Sequence, residues 1–227
     1  MRDDVRDIAA DYHQAAEIEH SRLERHPAVA MPANELALCH QNLIAQGLED
    51  QVCLMQAGAR DLNAVKEQGC DAALLMGPRY PLIQECDRKK ALQEVHDRLR
   101  RGGSLFSAFI SRLGIMGNLI KNVTAWIEDQ AEVRSLLEQG QAVERGAQTG
   151  LRGYFAKVSE LIPLHEALGF ETLALAGVEP ASAADDESYN RLQGTRRQLW
   201  LDLLYEISAE PSIAGASRHL LYTGRKK

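Results

Sequence analysis

No glycine precedes Gly47 in this 227-residue sequence. A glycine-rich turn, which lets the backbone approach a bound nucleotide-like group at a helix N-terminus, is therefore excluded from the N-terminal stretch. Close cysteine pairs are lacking too. Cys39, Cys53, Cys70 and Cys86 stand far apart with no CxxC spacing, which excludes zinc-ribbon and thiol-redox motifs. All four fall in apolar or helical segments, as reduced core cysteines of a cytosolic protein would. The seven histidines are scattered, with no HxxxH pair on a predicted helix, so no metal site is expected. No apolar run approaches the roughly 18 residues of a membrane span. The charged start, MRDDVRDIAA, has no apolar signal-peptide core, so a cytoplasmic protein that engages no membrane is expected. Cationic excess is missing as well: the net charge of −6 argues against nucleic acid as a partner, since binding it takes many Lys and Arg contacts to phosphate. The short run Arg225-Lys226-Lys227 reads as a solvated tail.

What is present is ordinary for a single globular domain with a large core: 45% hydrophobic and 26% charged residues. Residues 3–25 place Val5, Ile8, Tyr12, Ala15, Ala16 and Leu23 at helical spacing, so 1–26 is read as an N-terminal amphipathic helix. Asn34 to Gln46 reads as a second helix ending at Gly47. Strand and helix then alternate. Val52–Gln56 and the nearly uniform apolar run Ala72–Met76 read as strands, the latter buried on both faces. Gln84–Arg100 is helical, with Ala91, Leu92, Val95 and Leu99 inward, and Ser104–Ile110 is the next strand.

Residues 112–150 interrupt the rhythm as a cap insertion, helical over Ala125–Gln139 and loop-like from Gly140. Val158–Leu168 and Phe170–Gly177 resume it as helix and strand. A second helical insertion, 180–210, carries a helix over Ser188–Ile207 with the stripe Leu192, Leu199, Leu203, Leu204 and Ile207. A strand over Arg218–Thr223 closes the chain. This alternation predicts an α/β domain, a three-layer sandwich around a mostly parallel, doubly wound sheet. Ligands of such sheets bind beyond the carboxyl ends of the strands, here the turns after Gln56, Met76 and Ile110.

Three segments carry a family resemblance. They are Val52 to Leu62 (VCLMQAGARDL), Asp71 to Tyr80 (DAALLMGPRY) and Leu99 to Phe106 (LRRGGSLF), the last with Arg101 where proline is usual. In order and spacing they resemble the third, fourth and fifth strands of class I S-adenosylmethionine-dependent methyltransferases, over roughly residues 34–111 and 155–224. The resemblance implies a Rossmann-like fold, a methyltransferase activity on a small molecule and S-adenosylmethionine as cofactor. It implies a cofactor-binding set of Tyr12, Gly58, Ala59, Met76, Gly77 and Tyr80, and it places Arg79 at the transfer site. Trp126 and Tyr154, in or beside the cap, are the aromatics expected to bind substrate, with Tyr189, Trp200 and Tyr205 in the second insertion. Trp200 reads rather as a residue packed on the sheet, and His96 as a solvated helix residue. No catalytic residue is implied.

The sequence departs from that family at the cofactor's seat. Its glycine-rich turn, similar to E-x-G-x-G-x-G, has no counterpart before Gly47. The first strand that carries the turn has no room between Arg25 and Asn34, where about 40 residues of typical elements are missing. No carboxylate lies near Ala30 to Pro32 to hold the ribose, and Gly58 stands where an aspartate holds the adenine. A hydrogen bond to a charged group is worth about 1.5–3 kcal/mol, so two lost carboxylates correspond to about 10²- to 10⁴-fold in affinity. Two readings follow. One is a small-molecule methyltransferase; the other is a non-catalytic methyltransferase-like binding protein, or an internally deleted chain. A missing central strand would also leave an edge for a second copy to cover, giving a homo-oligomer.

Overall fold

Leu105, Ser107 and Phe109 alternate with Ser104, Phe106 and Ala108 along a strand, so the two sets face opposite sides of a sheet. That strand organises the fold. The computed structural model describes residues 41–47, 58–63, 65, 68–76, 82–142, 153–178 and 190–227. In chain order these hold β1 (Cys70–Leu75), α1 (Glu85–Arg98), β2 (Leu99–Ile110), α2 (Met116–Asn122) and a 3₁₀ turn at Thr124–Glu128. There follow α3 (Gln130–Gln139), β3 (Gln141–Ala142), β4 (Gly153–Tyr154), α4 (Val158–Glu166) and β5 (Phe170–Gly177). The last elements are α5 (Gly194–Ile207), α6 (Pro211–Ala216) and β6 (His219–Lys226). Residues 41–45 are helical as well. The strand expected at Val52–Gln56 and the helix expected at 1–26 lie outside the described residues.

The described sheet has the order β1-β2-β6-β5. β1 and β2 run parallel, joined through α1, while β6 is antiparallel to both β2 and β5. The domain is thus mixed α/β with a parallel crossover, as the alternation predicts; among the described strands the other two pairings, at the closing end of the sheet, are antiparallel. Beneath α1, Leu75, Leu92, Val95, Leu99, Leu105 and Phe170 form one core. Beneath α4 and α6, Phe109, Ala156, Leu161, Ala214, Leu220 and Tyr222 form another on the same sheet. His165 is fully buried between them, its ring stacked 3.6 Å from that of Tyr222 and its Nδ1 2.6 Å from the Leu161 carbonyl oxygen.

Several local expectations fail for identifiable reasons. The uniform apolar run at β1 predicts burial on both faces, yet Leu74 is 68% exposed, because α1 packs on the Leu75 side. The supposed basic tail belongs to β6: Lys226 donates from Nζ to the carbonyl oxygens of His96 and Leu99. His96 is not solvated but packs edge-on against Phe170, with ring centroids 5.1 Å apart. Cys86 is exposed on α1 rather than in a core. On α5 the inward residue is Leu201, while Leu199 and Leu203 of the predicted stripe point out, and Trp200 is 45% exposed instead of packed on the sheet.

The cap insertion is a unit with its own core of Ile115, Leu119, Trp126, Val133, Leu136, Ala142 and Phe155. It leaves and rejoins the sheet at one point. Ser111 and Ala156 form a parallel bridge at the end of β2, the Arg112 N–H donates to the Ala156 carbonyl at 2.8 Å, and the Phe155 N–H donates to Gly140 at 2.7 Å. The loop expected after Gly140 begins and ends as the ribbon β3–β4.

Candidate functional site at the carboxyl ends of the parallel strands

Because α1 returns the chain from β1 to β2, its N-terminal end lies by the carboxyl end of β1, and Arg112 follows directly on the carboxyl end of β2. Four side chains meet at this edge. Arg112, 2% exposed, donates from Nε to the Phe155 carbonyl at 3.0 Å and from Nη1 to the Glu138 carbonyl at 3.3 Å. Its Nη2 reaches Glu160 Oε1 at 3.0 Å and the Tyr154 hydroxyl at 3.4 Å. The Tyr154 hydroxyl donates to Glu160 Oε2 in a short hydrogen bond, and Glu160 also accepts from the Lys157 N–H at the start of α4. Above the Tyr154 ring lies Arg88, with its guanidinium carbon 3.4 Å from the ring centroid. Arg88 is itself 5% exposed and donates from Nη1 to the carbonyl oxygens of Leu82 and Ile83, at 2.9 and 2.5 Å.

The electrostatics follow from this packing. Burial, reinforced by the neighbouring Glu160 carboxylate, pushes the Tyr154 phenol up to about 12. The phenol is therefore a neutral hydrogen-bond donor at physiological pH. Burial also draws the Arg88 guanidinium down, opposed by Tyr154, Glu85 and Glu160. Tyr154 in the unfolded chain ionises near 10, and in the folded protein near 12, so its contribution to stability is full below pH 10. Between about pH 10 and 12 the unfolded chain has released the proton that the folded protein keeps, and stability falls. Titration of phenolate absorbance is expected to show a component delayed toward pH 12 that Tyr154→Phe removes. Tyr222, also raised by burial, supplies a separate late component that survives the substitution.

Of the residues singled out from sequence, Tyr154 is at this edge, half-buried between two arginines. Trp126 is 4% exposed and packs in the core of the cap, with no hydrogen-bond partner for its indole N–H among the described residues. Met76 is buried at the end of β1. Ala59 is buried with Leu82 and Ala91, and Gly58 opens a tight turn whose carbonyl accepts from the Asp61 N–H at 2.7 Å. Tyr12, Gly77, Arg79, Tyr80 and Tyr189 lie outside the described residues. Sequence reasoning passed over Arg88, Arg112 and Glu160. A signal existed for the first: Arg88 shares one helical face with Ala91, Leu92 and Val95, a position where charge is rare unless it is used. Among the described residues no cluster of metal-ligating side chains occurs, and no helix is long and apolar enough to cross a membrane.

No family model matches the chain, and no curated protein matches it either. Solved structures do resemble it. An S-adenosylmethionine-dependent methyltransferase from Methanosarcina mazei aligns over 86% of this chain and 78% of its own, at 13% identity and a TM-score of 0.50. The CcbJ methyltransferase from Streptomyces caelestis aligns over 86% and 77%, at 11% identity and a TM-score of 0.51. The [4+2]-cyclase SpnF aligns over 86% of this chain at 18% identity and a TM-score of 0.45, and the chain spans 63% of that protein. The chain thus has a fold shared with the class I S-adenosylmethionine-dependent methyltransferases.

Proposed function

We propose that the chain is an S-adenosylmethionine-dependent methyltransferase acting on a small molecule, with the acceptor seated at the carboxyl ends of β1 and β2. The observation that supports this most is the group of Arg88, Arg112, Tyr154 and Glu160 at that edge, on a fold shared with methyltransferases. When bound, the cofactor supplies a methyl group on a sulfonium, moved by in-line displacement, for which alignment of the acceptor is the main requirement. Tyr154 offers the acceptor a neutral hydroxyl and an aromatic face. Glu160 fixes that hydroxyl, and Arg112 fixes Glu160. The cap is tied down at both ends beside them.

The described residues fit the cofactor in part. Gly58, Ala59 and Met76 provide main-chain and apolar contact, suited to an adenine ring, but no carboxylate. That same lack favours a second reading, a methyltransferase-like protein that binds a small molecule without turning it over. Isothermal titration with S-adenosylmethionine separates the two. Heat of binding at micromolar ligand is the expected result for the enzyme, and its absence would leave the binding protein.

A further inference from the structure

Arg88 is an almost wholly buried cation that Glu85 and Glu160 offset only through space. Among the described residues it forms no ion pair; its partners are two carbonyl oxygens and the Tyr154 ring. Among the described residues, the carboxylates beside it are paired with other cations. Glu85 pairs with Lys89 at 2.6 Å, Asp87 with Arg60 at 3.1 Å, and Glu160 with Arg112 at 3.0 Å. Tyr154 adds no negative charge, because its phenol stays protonated in place. Arg88 and Arg112 thus both lie near Glu160, which pairs directly with Arg112. Buried charges are normally matched, since desolvation of an unmatched ion is costly. Nη1 is the nitrogen committed to the carbonyls, and Nε and Nη2 have no partner among the described residues. A planar guanidinium with free nitrogens is the side chain best suited to an oxyanion.

We propose that Arg88 is a recognition site for an oxyanion, a carboxylate or phosphate group carried by the molecule that occupies the edge beside Tyr154. As the substrate class of a methyltransferase this rests on the reading above, but the binding event does not, and the two fail separately. The full chain is titrated with benzoate, with its neutral counterpart benzamide and with inorganic phosphate, all without S-adenosylmethionine. Either anion is expected to bind at least about tenfold more tightly than benzamide. Preference for benzoate identifies a carboxylate as the group recognised, and preference for phosphate identifies a phosphate. Arg88→Lys keeps a cation and donors for the two carbonyls while losing the fork, so the fold is retained and anion affinity is expected to drop about tenfold. Equal binding of all three probes, no binding of either anion, or unchanged anion affinity in Arg88→Lys would overturn the site. Anion binding that persists in a protein with no affinity for S-adenosylmethionine would uphold the site and sink only the methyl transfer.

Discussion

Glu160→Gln is expected to destabilise the protein by about 3 kcal/mol, although its carboxylate is partly solvated, with a side chain 36% exposed. The reason lies in its partner. Arg112 is almost wholly buried, and Glu160 is its ion-pair partner; carbonyls satisfy its other nitrogens without neutralising it. Removing one half of a buried pair leaves the other half charged in a poorly solvating place, which typically costs about 3–5 kcal/mol. Partial exposure of Glu160 puts the expected value at the low end. Arg112→Met should also destabilise, because the Phe155 and Glu138 carbonyls lose their donor. The two substitutions are expected not to be additive. Urea unfolding of Arg112→Met/Glu160→Gln should show a loss smaller than the sum of the single losses by about 1–3 kcal/mol. Additive losses would mean that the two side chains do not act as a pair.

Gly114→Ala should be at least as damaging, for a purely steric reason. Gly114 lies in the turn from β2 into the cap, and a methyl group there would fall on the carbonyl carbon and oxygen of Ser217, the residue that leads into β6. Both are backbone atoms of a residue that is itself fully buried, so neither rotamer change nor solvent offers relief. Overpacking of this kind costs about 1–3 kcal/mol where side chains can yield and more where backbone must move, so about 3 kcal/mol or more is expected. Gly117 provides the control. It lies in α2, nothing comes within 4 Å of its added methyl, and replacement by alanine removes the penalty of glycine in a helix. Gly117→Ala should therefore stabilise by about 0.5–1 kcal/mol. A thermal-melt comparison of the two variants checks both signs.

Much of the secondary structure was legible in the chain. Apolar spacing and flanking glycines mark Phe170–Gly177 at its observed bounds, and α1 and α4 within two residues at either end. The short α2 and α6 were missed. Helices of that length have too few turns for periodicity to show, although Pro211 at the first helical position following the capping Glu210 was a usable cue. For α5 the period was found but the phase was wrong. Leucines occur all round this helix, so composition does not choose the buried side, and Leu201 rather than Leu199 or Leu203 faces inward. The site was legible only in Tyr154. Its partners are drawn from α1, the end of β2 and α4, with Arg112 and Glu160 48 residues apart and Arg88 and Tyr154 further still. No local pattern joins residues at that separation; only the sheet does. The charged member of an otherwise apolar helical face, Arg88, was the clue left unread.

The insertion that begins at Arg112 and ends at Phe155 departs from and returns to adjoining residues of one strand end. Its two stems therefore act as a single port. None of the pairings that set the register of β2 against β1 and β6 passes through it. The ladder of the sheet and the core of the insertion are thus set by different contacts, and they meet where Ile110 packs against that core and Gly114 lies on Ser217.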